Sequence, residues 1–449
     1  MTKDELFSAA DKAADAFTGK GVSAWDVYVR SSASTSAEVK EQKLDAFEEA
    51  ITWGAGVRAL LPDGRMGFAY SSGSPDAALM AARKAYENAL NAEPDAGNNI
   101  PLKSDAPYPD ITEFDDLVKT LGEREKIDKA MVVEKAALDF DPRIKRVRKS
   151  SASFTEAGWA IVSSSGVRAY TDGTYFSCGI MAVAEEGGES QMGYDFDYKR
   201  YVSQIDFAKV GRSAAEKAVA LLGARKTPTG LFPVLLDNLV ASEFLGVLAA
   251  SFSAESVIKG RSLLAGKVGK KVCSGLINIH DDALFPGGVG TRAFDDEGFP
   301  SQRTPLIVAG ELTGFLHNAY TAKRTGGVST GNAARGGFRT QPGVGSSNLY
   351  IEKGKASKEE LISSVSKGLL VEEVLGMHTA NPISGDFSIG VSGQWIEGGK
   401  VAYPVREGAI AGSILSIFSK VEALGSDIRF VGKLGAPSIL LKPVSVSGS

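Results

Sequence analysis

Chemistry requires particular side chains at particular spacings, and several stretches of this chain offer the right types. His378, Ser384 and Asp386, within "HTANPISGDF", are the three residue types of a nucleophilic triad. Working triads draw nucleophile, base and orienting acid from separate elements so that they converge on one point. Three residues on one short segment are expected to form a turn and the start of a strand instead. His280, Asp281 and Asp282 in "INIHDDALF" are metal-ligating types, but their spacing matches no helical or turn motif, and a polar loop after the strand "LINI" is expected. Asp295, Asp296 and Glu297 in "FDDEG" point in different directions on any regular element, so a solvated turn is expected there. No GxxxxGK[ST] phosphate loop occurs, and "GKVGKK" at 266–271 lacks both its spacing and its magnesium-binding hydroxyl.

The stretch "VASEFLGVLAASF", residues 240–252, is of another kind. Val240, Phe244, Val247, Leu248 and Phe252 recur at helical spacing, which predicts a core helix with Val247 inside its apolar stripe and Ser242 on the opposite side.

These residues need elements to position them. Thr2 and Glu5 form a capping box for a helix over 2–17, whose face carries Leu6, Ala10, Ala13, Ala14 and Phe17. "GVRALLPDGRMGFAY" folds back on itself around Asp63-Gly64, a hairpin signal. A helix at about 75–91, with Ser74 as cap and Pro75 in its first position, closes the first region. The middle of the chain repeats the theme. Helices near 123–139 and 206–222 enclose alternating strands, which read as an antiparallel sheet with one wet face. The predicted class is α+β, an N-terminal helix and antiparallel-sheet region plus a large glycine-rich, β-rich C-terminal domain. The boundaries are an N-terminal α+β domain over 1–92, a proline-rich linker over 93–115, a central α+β domain over 116–223 and the β-rich domain over 230–449.

In "NPISGDF", Asn381 and Pro382 start a turn, Gly385 takes a positive φ, and Asp386 accepts backbone N–H bonds within the turn. Phe387, Ile389 and Val391 then alternate with Ser388, Gly390 and Ser392 along a strand, and Gly398-Gly399 turns it back. The small face of that strand lets another chain approach. Asn381, Ser384, Gly385, Asp386, Ser388 and Gly390 are therefore the candidate surface for a peptide or a partner.

Bulk composition narrows the function. With 449 residues the chain exceeds the roughly 250–300 that one core supports. A net charge of -4 with dispersed Lys and Arg excludes the footprint of a nucleic-acid binder. Cys178 and Cys273 are isolated, so neither a disulfide framework nor a thiolate zinc knuckle is expected. The amphipathic N-terminus is no secretory signal, and no run reaches the ~18 apolar residues of a membrane span. A cytoplasmic location without membrane contact is expected.

From "GVRALLPDGRMGFAY" through "FDDEGFPSQRT", "STGNAAR" and "HTANPISGDFSIGVSGQWIEGGKVAYPVREGAIAG" to "LGSDIRF", the sequence resembles the TldD/PmbA family, also known as the modulator of DNA gyrase family, and within it the PmbA/TldE branch. The resemblance implies a cytoplasmic two-subunit peptidase. Its TldD-like subunit carries HExxxH on a helix plus a C-terminal cysteine around a zinc-type metal, and its TldE-like subunit pairs with it. On that pattern Ser242 stands at the first histidine, Glu243 matches the glutamate, Val247 replaces the second histidine, and no cysteine follows Cys273. The resemblance thus implies a degenerate metal site, no catalytic residue and no cofactor bound by this chain. The zinc-type metal belongs only to a TldD-like partner, and unfolded peptides are the substrates. A stand-alone hydrolase, with His280, Asp281 and Asp282 or the 295–297 acids as metal ligands, is the alternative reading, and a homodimeric peptide-binding protein is another.

Overall fold

The computed structural model describes residues 1–74 and 76–448. The first helix, Lys3–Asp15, starts at the predicted capping box: the Thr2 hydroxyl accepts from Glu5 N, and the Glu5 carboxylate accepts from Thr2 N. Leu6, Ala10 and Ala13 are buried on its face. Strands β1 (Ala24–Lys40), β2 (Lys43–Leu60), β3 (Met66–Ser72), β4 (Ile144–Ser163), β5 (Arg168–Glu186) and β6 (Glu189–Lys199) form one antiparallel sheet in the order β3-β2-β1-β4-β5-β6. The two α+β regions of the sequence therefore share a continuous sheet, joined where β1 pairs β4 from Asp26↔Ser163 to Val39↔Ser150. The β1–β2 hairpin turns through Glu41 and Gln42, both at positive φ, which side chains with a Cβ rarely adopt. The buried carboxylate of Glu134 holds this turn by accepting from both backbone amides, at 2.9 and 2.7 Å.

The second helix runs Ala77–Leu90, shorter than predicted. Asp76 is its N-cap residue and makes no side-chain cap bond, while the Ser74 hydroxyl accepts from Asp76 N, too early in the chain to cap the helix. The predicted role of Pro75 lies outside the described residues. The helices Glu123–Leu138 and Phe207–Ala220 follow expectation, the latter capped by the Asp206 carboxylate, which accepts from Lys209 N. Residues 93–115 contain no helix or strand. That segment is nonetheless pinned: Tyr320 Oη donates to Asp95 at 2.9 Å, Asn99 Nδ2 to Ala319 O at 3.1 Å, and Tyr108 Oη to Gly298 O at 2.9 Å.

The expected wet face of the sheet does not exist along its centre. Val27, Val29, Ala37 and Val39 of β1 face the four helices in two apolar clusters. Their alternates face the C-terminal region: Tyr28 and Trp159 pack on Phe338, and Ile161 on Phe294. Period-2 alternation marks which residues share a face and is silent on what covers that face.

The acids expected in a solvated turn sit at this junction, buried. Asp295, Asp296 and Glu297 are 0, 7 and 2% exposed. Arg58 of β2 grips Asp26 of β1 and reaches Glu297 at 2.8 Å, and Arg335 binds Asp26 at 3.0 Å from the other side. Burial alone would raise the Asp26 pKa, but the two guanidinium groups hold it below the usual carboxylate range. Asp295 takes backbone N–H bonds from Glu297, Phe299 and Ala333, while burial and neighbouring Glu297 push its pKa up.

The C-terminal region holds two mixed sheets. Strands Gly230–Leu236, Lys367–Leu375, Asp386–Glu397, Lys400–Ser413 and Ile439–Gly448 pair in a ring, because the last also pairs with Lys400–Ser413, so the five close into a barrel. Trp395, Leu369, Val371 and Val234 belong to its apolar cluster, and the helix Asn238–Ala249 packs into the same core. His280, Asp281 and Asp282 lie in a strand, Ile279–Asp282, rather than in a loop. Asp281 is spent on structure, accepting from Asn332 Nδ2 at 2.6 Å and from Ser347 N and Oγ at 2.7 and 2.9 Å.

Removing one partner of a buried ionic set leaves the others unpaired out of water, which costs about 3–5 kcal/mol. Arg58→Met is expected to lower unfolding free energy by about that amount in urea titrations. A loss of less than about 1 kcal/mol would show that the Asp26 and Glu297 carboxylates find other compensation.

Candidate functional site

Asp237 caps the helix Asn238–Ala249 by accepting from Leu239 N at 3.1 Å, and Lys358 clamps the same carboxylate. Val240, Phe244, Leu245 and Leu248 are buried. Ser242 corrects the sequence reading: it is buried with them, not set opposite, and its hydroxyl donates to Asn238 O at 2.9 Å. Val247 is partly buried against the same core.

Glu243 points the other way, into a cavity of about 210 Å³ between the central region and the barrel. Tyr194, Asp195 and Lys217 line one side, and Glu372, Glu373 and Ser392 the other. Glu243 is an exposed residue, yet the cavity wall takes part of its carboxyl out of water, and this partial desolvation, with Glu373 adding repulsion, pushes its pKa up to about 7. The Glu372 pKa is raised by burial as well. Asp195 behaves oppositely: burial works to raise it, but Lys217 and Arg429 hold it low. The barrel strand positions the two adjacent glutamates through a bulge, since Val371 pairs with Gly393 and Glu373 with Ser392, leaving Glu372 as the extra residue. Gly393 opposite is required by close approach, because a Cβ there would lie 2.1 Å from Leu370 O.

The donors on this helix do not fit a catalytic zinc, which takes three protein ligands with one open position. The Ser242 oxygen is buried in its helix hydrogen bond, and Val247 has no lone pair. No histidine or cysteine lines the cavity. Among the described residues no group of three or more His, Cys, Asp or Glu side chains is arranged to hold a metal ion. Cys178 and Cys273 are buried, and burial pushes both thiols up to about 12.

The predicted surface residues lie on the strand that leads to this cavity. Asn381, not Asp386, organises the turn: its Oδ1 accepts from Ile383 N at 2.9 Å and Ser384 N at 3.2 Å, and its carbonyl from Gly385 N at 2.7 Å. Asp386 donates its N–H to the Ser384 hydroxyl and leaves its carboxylate in solvent. Gly385 has φ 77°, and a Cβ there would meet Leu263 Cδ1 at 2.9 Å. Phe387 sits edge-on to Phe244 at 5.3 Å, fixing the strand against the Glu243 helix. Ser388 is exposed and Gly390 half-buried, and Ser392, two residues on, hydrogen-bonds Glu373 at 3.0 Å on the cavity wall. His378 is exposed, and no hydrogen bond joins it to Ser384 or Asp386 among the described residues. Asp195, Lys217, Glu372 and Glu373 escaped sequence reasoning. The one local signal was the acidic pair inside the apolar run "GLLVEEVL".

A long antiparallel sheet joined to a C-terminal barrel, with the Glu243 helix at the cavity between them, places the chain in the class of metallopeptidase-like scaffolds. The chain belongs to the PmbA/TldD metallopeptidase family: residues 25–89 match its domain 1, 117–222 its central domain and 229–448 its C-terminal domain. It is 29% identical to the metalloprotease PmbA of Escherichia coli O157:H7 over 72% of this chain and 70% of that protein. It is 26% identical to a metalloprotease TldD homologue of Haemophilus influenzae over 97% of this chain and 95% of that one. The crystal structure of a candidate modulator of a DNA gyrase from Thermotoga maritima superposes with a TM-score of 0.89 at 27% identity, covering 98% of this chain and all of that one.

The raised Glu243 pKa has a stability consequence with a definite sign. Between its ordinary value of 4.5 and about 7 the folded state holds a proton that the unfolded state has released, so stability falls as pH rises through that window. Glu243→Gln is expected to melt higher than wild type at pH 8, with the difference vanishing as pH drops toward 4.5. Equal melting temperatures at both pH values would show that the carboxyl is fully hydrated.

Proposed function

We propose that this chain is the non-catalytic, PmbA/TldE-like subunit of a two-subunit metallopeptidase acting on unfolded or small peptides, with hydrolysis carried out on a TldD-like partner that supplies the zinc-type metal. The observation that carries this reading is the helix Asn238–Ala249. It retains Glu243 at a cavity wall, yet its neighbours at 242 and 247 are a hydroxyl consumed inside the helix and a valine. A glutamate acting as general base needs a polarised water, and nothing on this helix polarises one. The role left to the chain is to shape the substrate path. The face carrying Ser388 and Gly390 leads to Ser392 and Glu373, and so offers a guided approach to the cavity. The alternative of a stand-alone hydrolase finds little support, since Asp281 and the 295–297 acids are engaged in internal hydrogen bonds and ion pairs. No described helix is long and apolar enough to cross a membrane. A cytoplasmic complex is part of the proposal.

The purified chain is expected to retain no stoichiometric zinc, iron or manganese after dialysis and to leave unfolded peptides intact. Adding a TldD-like subunit from the same organism is expected to give cleavage above that of the TldD-like subunit alone. Glu243→Gln should keep that mixed activity within about threefold, under about 1 kcal/mol in the barrier. One bound metal per chain, or a hundredfold loss in the variant, would overturn the assignment.

Ser388→Trp tests the proposed surface without touching the core. It is expected to melt like wild type and to fail in pull-down of the TldD-like subunit or of an unfolded peptide. Normal melting with both interactions retained would make this strand face ordinary solvated sheet.

A further inference from the structure

A second cavity, of about 780 Å³, lies between the uncovered part of the β1–β4–β5–β6 face and the C-terminal region. Its charge is unbalanced. Arg30, Arg292, Arg335 and Lys433 line it against the single carboxylate of Asp296. Arg335 is neutralised by Asp26 at 3.0 Å, and Asp296 stands 3.8 Å from Arg292. That leaves Arg30, which stacks over Trp159, bonds the Tyr28 hydroxyl and feels Asp296 only at a distance, and Lys433; among the described residues neither makes an ion pair, and the Lys433 ammonium makes no hydrogen bond. The Arg292 side chain is only 10% exposed, and its Nε has no hydrogen-bond partner. A buried, unpaired guanidinium N–H costs free energy unless something accepts from it. Burial, with Arg292 and Arg30 nearby, lowers the Lys433 pKa, and the more distant carboxylates of Asp296 and Asp281 offset this only in part.

The other walls say what kind of anion fits. Tyr175 and Tyr198 stack with ring centroids 6.0 Å apart, and Trp159 lies beside them, so the cavity is aromatic as well as cationic. Its volume suits a ligand of a few residues and far exceeds an inorganic ion. It shares Phe196 and Val431 with the Glu243 cavity, so a basic and an acidic chamber stand on either side of one apolar wall.

We propose that this cavity binds the free C-terminal carboxylate of a short peptide, with Lys433 and Arg30 as donors and the tyrosine pair and Trp159 flanking the last side chain. Guanidinium and ammonium groups recognise a carboxylate through charge-assisted hydrogen bonds that a neutral amide cannot match. The proposal deepens the peptide-handling reading above and rests on it for the ligand class, but its test needs no partner subunit.

The full chain is titrated calorimetrically with Ala-Ala-Phe, with the same peptide as its C-terminal carboxamide, and with inorganic phosphate. The free acid is expected to bind at least about tenfold more tightly than the carboxamide, the weight of one charged hydrogen bond. Lys433→Met and Arg30→Met are each expected to weaken the acid about tenfold or more at unchanged melting temperature, while leaving the weak carboxamide affinity as it was. Equal binding of acid and carboxamide, no binding of either, or an unaltered affinity in both folded variants would overturn the proposal. Phosphate binding as tightly as the peptide would overturn it too, assigning the cavity to a free anion. The acid-against-amide comparison on the wild-type chain decides the matter even if one variant fails to fold. A chain that passes it yet never supports a TldD-like subunit would refute the proposed function and leave this site standing.

Discussion

The ionic set of Asp26, Arg58, Glu297 and Arg335 decides how the two halves of this protein meet. Its members come from β1, β2 and two separate loops of the C-terminal region, and all lie out of water. Such a set contributes little net stability compared with well-packed apolar side chains, since desolvation offsets most of the attraction. What it does is penalise error. A docking shifted by one residue along β1 would turn Asp26 to the helix-covered face and strand both arginines, so only one placement of the barrel region on the sheet leaves no buried charge unpaired.

That placement creates both cavities. Where the C-terminal region touches the sheet closely, Tyr28, Trp159 and Phe338 form a dry contact, as do Ile161 and Phe294. Farther along, β5 and β6 diverge from it, and the gaps are walled by the polar residues of the same face. Tyr194 belongs to one chamber and Tyr175 and Tyr198 to the other, while Asp195, beside Tyr194 but on the helix-covered face, reaches the first chamber from the sheet edge together with Lys217. Alternation along β6 and its neighbours therefore supplies cavity chemistry as a by-product of sheet geometry.

Apolar packing fixes the helix that bears Glu243. Phe244, Leu245 and Leu248 still anchor it in the barrel core, and Phe387 still braces it from the strand after "NPISG". Apolar packing holds the helix in place whether or not positions 242 and 247 carry donors. The acidic chamber beside it takes carboxyls partly out of water, which raises the pKa of Glu243, with Glu373 adding repulsion, and that of Glu372.

Local signals in the sequence were sufficient for whatever local physics decides. The capping box at Thr2, the hairpin at Gly64, the Asp206 cap, the positive φ of Gly385 and the alternation of Phe387, Ile389 and Val391 all appear where the chain announces them. Burial on the second face of the sheet, the descent of Asp295, Asp296 and Glu297 into the interior, the inward turn of Ser242 and the assembly of Glu372, Glu373, Asp195 and Lys217 around Glu243 were decided only by the tertiary structure. Each depends on residues more than a hundred positions apart meeting, and a one-dimensional pattern records which side a residue faces but not what is brought to that side.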